Sequence, residues 1–245
     1  MLNEPITLTM LSCKRYSFFE KTFNSFFDNC QDLDLIKNII IVDDNSSIED
    51  RVKTQQLLLQ IPLPNLIICK NQFKGQAISL NILGMLTPTK YTFHIEDDFA
   101  FIQNGSFIRD GLEIIQKHPF VKRVCVDAPS SGKNIDKLDE DILDLSSKEQ
   151  YFIHTNKNLG KEWLSFTFRQ SLIDNTVFQE VGFFSGRPRF SHEPNAVPTT
   201  ETDYAVRYCE KGYKTAFLMK KYCQEISPNS ISSFYLNNVN RHCEV

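Results

Sequence analysis

The chain has 245 residues, of which 41% are hydrophobic and 23% charged, and its formal net charge is −3. This length suits one large domain with a substantial core, and the composition excludes a chain that is disordered throughout. The small negative charge gives no electrostatic basis for nucleic acid as a partner. No apolar run is long enough to cross a bilayer, and the first five residues lack the features of a signal peptide.

The cysteine pattern bears on the cellular compartment. Seven cysteines are scattered along the chain and none forms a Cys-x-x-Cys pair. An odd number without metal-binding spacing favours free thiols in a reducing environment, so we expect a soluble cytoplasmic protein without a transmembrane segment.

Strands and helices alternate in the first half of the sequence. Ser17 to Glu20 fits a capping box that would begin a helix with Phe19, Phe23, Phe26 and Phe27 on one face, and Ser47 can cap the next helix. The predicted strands are Ile6–Leu11, Ile39–Val42, Leu66–Cys69, Tyr91–Ile95 and Val121–Val126, and the further predicted helices are Gly75–Leu86 and Ser106–Lys117. This order predicts an α/β fold with a mostly parallel central sheet and helices on both faces.

The second half is less regular. The polar, acidic stretch Pro129–Lys148 suggests a long connection, and the proline-rich stretch Gly186–Pro198 suggests a loop. The remaining predicted elements are strands at Tyr151–His154, Leu164–Phe168 and Tyr213–Met219, a helix at Ser171–Val181 ending at Gly182, and a helix at Thr199–Lys211 ending at Gly212.

Acidic residues follow two of the predicted strands. Asp43 and Asp44 follow the second strand, and Glu96–Asp98 follow the fourth. In a parallel sheet these strand ends lie on the edge where ligands bind. Adjacent carboxylates repel each other, and Mg²⁺ or Mn²⁺ would offset that repulsion and the charge of a diphosphate. Plainer explanations are a turn with a helix cap at Asp43–Ser47 and a solvated loop at Glu96–Asp98.

Five short motifs stand in order along the chain. They are Ile39–Ser47 (IIIVDDNSS), Asn71–Gly75 (NQFKG) with Asn81 and Gly84, His94–Asp98 (HIEDD), Val181–Phe184 (VGFF), and Thr200–Arg207 (TETDYAVR) with Gly212 and Tyr213. This ordered set resembles the glycosyltransferases of the GT-A fold, and family 2 in particular. The chain departs from the family at Glu96, where Asp is usual, and at Thr200–Glu201, where the family has Glu-Asp. The second departure leaves the identity of the catalytic base open.

The resemblance implies one GT-A (Rossmann-like) domain, with a nucleotide-binding half at residues 1–127 and an acceptor-binding half at 128–245. It also implies metal-dependent transfer of a sugar from a nucleotide-diphosphate donor to an acceptor hydroxyl, with inversion. UDP-sugar is the expected donor, Mn²⁺ or Mg²⁺ the expected metal, and a glycan, lipid-linked or protein molecule the expected acceptor.

The same resemblance assigns roles to individual residues. Metal binding is expected of Asp98, Glu96 and the C-terminal His242, and donor binding of Asp43, Asp44, Lys74, Glu96 and Asp97. Glu201 is the expected general base and Asp203 the alternative. Trp163, the only tryptophan, and His192 in the proline-rich loop are candidate acceptor contacts. Lys74 as a surface lysine and Trp163 as a core residue are the plainer interpretations.

Three other functions fit parts of the pattern. A non-catalytic relative that binds nucleotide-sugar or carbohydrate would keep the same residues. A nucleotide-sugar pyrophosphorylase needs a glycine-rich loop after the first strand, where Leu11–Arg15 has no glycine. A phospho-receiver domain would use Asp43 and Asp44, but it is roughly half this length and would leave the other acids without a role.

Overall fold

The computed structural model describes residues 3–72, 75–126, 142–154, 165–186 and 200–227. The strands are β1 (Ile6–Ser12), β2 (Ile36–Asp44), β3 (Asn65–Lys70), β4 (Tyr91–Ile95), β5 (Phe99–Phe101), β6 (Val121–Cys125), β7 (Ile142–Asp144), β8 (Gln150–Ile153), β9 (Ser171–Asp174), β10 (Lys214–Leu218) and β11 (Cys223–Glu225). The helices are α1 (Tyr16–Asn29), α2 (Ile48–Leu58), α3 (Gln76–Leu86), α4 (Phe107–Lys117), α5 (Thr176–Glu180) and α6 (Thr200–Glu210).

A nine-stranded sheet forms the centre of the molecule. Its order is β3-β2-β1-β4-β9-β6-β10-β8-β7, and all of these strands except β8 and β9 point the same way. The expected α/β fold with a mostly parallel sheet is therefore confirmed. The sheet runs through both halves of the sequence, because β9 from the second half lies between β4 and β6 from the first.

Helices cover both faces of the sheet. Residues of α1, α2 and α4 pack in one apolar cluster and residues of α3, α5 and α6 in another. Strand β2 shows why its β-branched run is apolar throughout, since Ile39 and Ile41 face the first cluster while Ile40 and Val42 face the second. No helix in the described ranges is long and apolar enough to cross a membrane.

Aromatic packing fixes α1 against the sheet. Phe19, Phe23 and Phe26 are buried on one face of the helix, as its spacing predicts. The Phe26 ring lies 5.6 Å from that of Phe93 on β4 and 5.2 Å from that of Phe101 on β5, measured between ring centroids. Much of the phenylalanine in this sequence therefore serves the core.

The helix starts agree with the sequence at α2 and differ at α1. The Ser47 hydroxyl accepts a hydrogen bond of 3.1 Å from the backbone N–H of Asp50, as expected of a cap. The capping box at Ser17 is wrong, because α1 begins at Tyr16 and its N-cap residue is Arg15. The carbonyl of Arg15 accepts the first helical hydrogen bonds, which places Ser17 inside the first turn.

The helix predicted at Ser171–Val181 is wrong in its first part. Ser171–Asp174 form the antiparallel strand β9, and α5 begins only at Thr176. Leu172 packs in one apolar cluster and Ile173 in the other, so the segment is buried on both sides. Over so short an apolar run, periodicity does not separate a buried strand from a helix.

Two further expectations in the second half need correction. Residues 165–168, the described part of the predicted strand Leu164–Phe168, form no strand; Phe166 and Phe168 pack instead in the cluster that includes α6. The connection predicted at Pro129–Lys148 contains strand β7 near its end, paired with β8. Of the predicted loop Gly186–Pro198, all but Gly186 lies outside the described residues. The small β5–β11 pair was not predicted.

Candidate active site

The carboxyl ends of β1 to β4 meet at one edge of the sheet. Ser12 at the end of β1 lies beside Asp43 at the end of β2, which in turn lies beside Cys69 of β3. Met10 of β1 lies beside Ile95, the last residue of β4. The topology therefore brings the acids after β2 and those after β4 to a single edge.

Asp43 organises the turn after β2. Its Oδ1 accepts hydrogen bonds from the backbone N–H of Ser46 at 3.1 Å and from Nε of Arg51 at 2.7 Å. Asp43 is 4% exposed. The turn and helix cap that the sequence offered as a plainer explanation are both present here, and Arg51 of α2 neutralises the carboxylate.

Asp44 joins the ends of β2 and β3. Its Oδ1 lies 2.8 Å from Nζ of Lys70, and its Oδ2 accepts a 3.1 Å hydrogen bond from the backbone N–H of Gly75. Gly75 immediately precedes α3. Asp44 thus links two adjacent strand ends to the start of a helix, where backbone N–H groups favour anionic groups.

Arg15 binds both aspartates after β4. Its Nη1 donates to Asp98 Oδ2 at 3.0 Å, and its Nη2 donates to Asp97 Oδ1. The sequence reasoning missed Arg15, because it considered the loop after β1 only for its lack of glycine. The available signal was a cation three residues past the end of a strand that neighbours both acidic strands.

Two hydrogen bonds place the loop that carries Arg15. The backbone N–H of Lys14 donates to the Ser46 hydroxyl at 2.8 Å, and the Cys13 thiol donates to the carbonyl of Asp44 at 3.1 Å. Lys14 has a φ of 56°, a left-handed conformation that a lysine adopts at some cost. The loop after β1 is therefore held against the loop after β2, and this sets the position of Arg15.

Glu96 has a different environment from its two neighbours. Within the described part of the chain its carboxylate makes no hydrogen bond and no ion pair. Burial, followed by repulsion from Asp98, Glu201 and Asp97, raises the pKa of Glu96 to about 8, and Arg169 opposes that rise. Burial likewise raises the pKa of Asp97 to about 7 despite the Arg15 guanidinium.

Glu201 lies in the first turn of α6. Its Oε1 accepts a hydrogen bond of 2.8 Å from the backbone N–H of Phe168. Burial raises the pKa of Glu201, while this hydrogen bond and the guanidinium groups of Arg123 and Arg169 lower it. Because Glu201 also acts electrostatically on Glu96, the fold brings the acid of α6 toward the acids after β4.

Asp203, unlike Glu201, forms an ion pair with an arginine of the same helix. Its Oδ2 accepts hydrogen bonds from Nε and Nη2 of Arg207 at 3.0 and 2.9 Å, and its side chain is 1% exposed. The same Arg207 donates to the carbonyls of Val181 and Phe183. Asp203 therefore holds Arg207 in place, and Arg207 holds the segment that follows α5.

The fully buried Arg123 holds the segment next to Glu201. Its guanidinium donates to the hydroxyls of Ser171 and Thr167 and to the carbonyl of Arg169, each at 3.0 Å. The carbon Cζ of the guanidinium also lies 5.0 Å from the ring centroid of Phe166. These contacts fix the backbone whose Phe168 N–H binds Glu201. Neither Arg123 nor Arg169 was singled out from the sequence.

The VGFF motif is tied to α3. Asn81 accepts from the backbone N–H of Phe184 at 2.8 Å and donates to its carbonyl at 2.9 Å. Gly182 has a φ of 90°, which favours glycine, and a Cβ at Gly84 would lie 3.2 Å from the Phe178 ring. The motif residues Asn81 and Gly84 of α3 thus join the first half of the sequence to Phe184 and Phe178 of the second half.

Four of the candidate residues from the sequence lie outside the described residues: Lys74, Trp163, His192 and His242. Their roles stay predictions. In the described ranges, no three His, Cys, Asp or Glu side chains converge as metal ligands would. The donor set after β4 is nevertheless suitable for a hard cation, because Mg²⁺-type ions are often held by one or two carboxylates together with substrate phosphates.

Comparisons with known proteins identify the fold. No family model matches the sequence, and no curated protein matches it. Among solved structures, mannosyltransferase PcManGT from Pyrobaculum calidifontis, in complex with GDP-Man and Mn²⁺, is similar with a TM-score of 0.66 at 14% identity. The similarity covers 94% of this chain and 59% of that one.

Two further structures agree. TarS residues 1–349 from S. aureus gives a TM-score of 0.59 at 11% identity, covering 91% of this chain and 61% of that one. GalNAc-T7 with UDP, GalNAc and Mn²⁺ gives a TM-score of 0.65 at 11% identity, and the similarity covers 92% of this chain and 44% of that one. These neighbours are glycosyltransferases of the GT-A fold, and the present chain has that fold. It spans less than two thirds of the length of each of the three neighbours.

Proposed function

We propose that this protein is a glycosyltransferase that takes a sugar from a nucleotide-diphosphate donor, with UDP-sugar the first donor to test. The observation that carries the proposal is the convergence of Asp43, Asp44 and Glu96–Asp98 at one edge of a GT-A sheet, with Glu201 brought toward them by α6. Packing alone does not require five acids at the edge where ligands bind in such sheets.

The donor subsite lies at the ends of β2 and β3. Asp44, Lys70 and the backbone N–H of Gly75 form one connected group there, with Asp43 and Arg51 beside it. In our proposal the acids bind hydroxyls or ring nitrogens of the nucleoside, and the start of α3 receives the phosphates. The positive end of a helix and its free N–H groups stabilise such anions.

Glu96 and Asp98 are the proposed metal ligands, since both residues are partly exposed whereas Asp97 is buried. A divalent cation held there would supply charge compensation for the departing diphosphate. Asp97 points into the protein and pairs with Arg15. Its predicted contact with the donor would therefore require Arg15 to move.

Glu201 is the proposed general base. It must hold the acceptor hydroxyl within hydrogen-bond distance and remove its proton as the bond to the anomeric carbon forms. The Phe168 N–H and the nearby Arg123 and Arg169 favour the ionised form that this role needs. Inversion at the anomeric carbon would follow from a single in-line displacement assisted by this base.

A non-catalytic binding relative is the second candidate. The ion pairs of Arg15 with Asp97 and Asp98 favour it, because they neutralise two of the acids that a metal would use. The two candidates differ in turnover and not in binding.

Release of free nucleotide from a panel of UDP- and GDP-sugars, with Mn²⁺ or with EDTA, separates the candidates. The enzyme should release nucleotide from at least one donor in Mn²⁺, and Asp98→Asn, which keeps the shape but removes a charge, should lose that activity. Binding of a donor with no release, in the presence of an acceptor mixture, would favour the binding relative.

A further inference from the structure

The guanidinium of Arg15 contacts the same carboxylate, Asp98, that is proposed to bind the divalent cation. It contacts Asp98 at 3.0 Å through Nη1 and Asp97 through Nη2. Only 10% of the Arg15 side chain is exposed, against 5% for Asp97 and 16% for Asp98. A guanidinium in this position already supplies the positive charge that the two carboxylates need.

We propose that Arg15 is an internal counter-ion that competes with the divalent cation for Asp98, and that the cation displaces Arg15 from Asp98 while Arg15 stays on Asp97. This inference rests on the proposed metal role of Asp98. In the resting state, Asp97 and Asp98 are neutralised by a cation of the protein itself.

The two aspartates differ in a way that makes one contact permanent and the other exchangeable. Asp97 is the more buried and also accepts a hydrogen bond from the backbone of Cys13. Asp98 lies nearer the solvent, with 16% of its side chain exposed against 5% for Asp97. A cation arriving from solvent therefore reaches Asp98 first.

The guanidinium is incompletely satisfied in this arrangement. Among the described residues its buried Nε has no hydrogen-bond partner. Its loop, by contrast, is fixed by the bonds from Lys14 to Ser46 and from Cys13 to Asp44. Exchange thus requires only rotation of a side chain on a fixed backbone.

The competition has a measurable consequence for metal binding. If Arg15 holds Asp98 in 90–99% of molecules, a figure we take as a rough estimate, the apparent Kd for the cation is about 10- to 100-fold weaker than the intrinsic Kd. Arg15→Gln should then bind Mn²⁺ alone about 10- to 100-fold more tightly than the wild type, by titration followed from the free Mn²⁺ signal in electron paramagnetic resonance.

Arg51→Gln is the matched control. It removes the same charge at the same edge, but Arg51 contacts Asp43 and not Asp98. Competition predicts a large gain in Mn²⁺ affinity for Arg15→Gln alone. Equal gains in the two variants would indicate general electrostatics and overturn the proposal, as would an Arg15→Gln affinity equal to or weaker than that of the wild type.

A structure of the wild-type protein with Mn²⁺ tests the same idea without a variant. The Arg15–Asp97 contact should remain and the Arg15–Asp98 contact should be lost. Mn²⁺ bound with both contacts intact overturns the inference while leaving the proposed function in place. If neither protein binds Mn²⁺ and donor turnover proceeds in EDTA, the inference also fails while the transferase activity stands.

Discussion

Glu201 and Asp203 lie two residues apart in α6, and their side chains have different neighbours. Glu201 accepts one backbone hydrogen bond and repels the Glu96 carboxylate, whereas Asp203 is bound by Arg207 inside the protein. This difference favours Glu201 as the base, a choice that the sequence left open.

Replacing each acid by its amide should therefore affect different properties, turnover for Glu201 and thermal stability for Asp203. Glu201→Gln should lower kcat for transfer by about 10²- to 10⁴-fold with donor binding nearly unchanged, because only proton removal is lost. Asp203→Asn should chiefly lower the melting temperature, since it weakens the hold on Arg207. Steady-state kinetics beside thermal melting makes the comparison. A dead but stable Asp203→Asn with an active Glu201→Gln would reverse the assignment.

At the residue scale, the sequence predicted the position of acids such as Asp43 but not their cationic partners, such as Arg15. The acids at the sheet edge were located because strand ends are readable from short apolar runs. Their neutralisation was assigned to a metal, because the partners Arg15, Arg51 and Lys70 lie 83, 8 and 26 positions away from the acids they bind. Only the fold shows that cationic side chains of the protein already neutralise part of the negative charge of these acids.

Helix α4 carries a buried acid with a pH-dependent cost. Asp110 is 4% exposed, and burial, opposed by a hydrogen bond with Ser147 and reinforced by Asp32, raises its pKa from 3.8 to about 6. A raised pKa means that the folded state holds the proton more tightly than the unfolded state. The stabilisation of the folded state by protonated Asp110 is therefore complete below about pH 4 and is lost as the pH rises through 6.

Asp110→Asn should remove that cost. We expect the variant to be more stable than the wild type by about 1–3 kcal/mol at pH 8, with the difference vanishing at pH 4. Urea unfolding at the two pH values measures it. Asp28→Asn, an exposed acid on α1, should have little effect at either pH. A stabilisation by Asp110→Asn that is equal at pH 4 and pH 8 would refute the explanation.

Asn81 connects helix α3 to the VGFF segment through two hydrogen bonds with the backbone of Phe184. Asn81→Ala removes both hydrogen bonds to Phe184 and leaves its backbone N–H and carbonyl without those partners. It should destabilise the protein by about 1–3 kcal/mol in urea unfolding. Asn65→Ala, which loses one exposed hydrogen bond to Leu63, should cost under about 0.5 kcal/mol. Equal small effects would mean that the Asn81 tie contributes little.

The sequence predicted the first half of the fold and, in the second half, strands β8 and β10 and helix α6. Strands β1 to β4 and β6 were found because short segments rich in apolar residues alternate with predicted helices in this part of the chain. Strand β9 was read as a helix because Ser171–Asp174 is too short for periodicity to decide, and its place between β4 and β6 depends on long-range pairing. Strand β7 was missed inside a polar stretch for the same reason.

At the scale of the whole molecule, the fold is similar to that of solved structures although the sequence identity is low. The chain shares 14% identity with PcManGT at a TM-score of 0.66. The recognisable motif residues lie in two places: the acids are at the carboxyl edge of the sheet, while Asn81 and Gly84 connect α3 to the second half of the sequence. The ordered motifs therefore predicted the architecture even though no family model matches.

Metal-dependent nucleotide binding tests the central claim most directly. Thermal melting should be measured with UDP and with GDP, in Mn²⁺ and in EDTA, for the wild type and Asp98→Asn. A nucleotide at about 100 times its Kd stabilises by about 2.7 kcal/mol, which corresponds to roughly 5–10 °C for a domain of this size. We predict a shift of that order for the wild type in Mn²⁺ only, and its loss in Asp98→Asn. No shift with either nucleotide, or an equal shift in EDTA and in Asp98→Asn, would contradict a metal-assisted nucleotide site at this edge of the sheet.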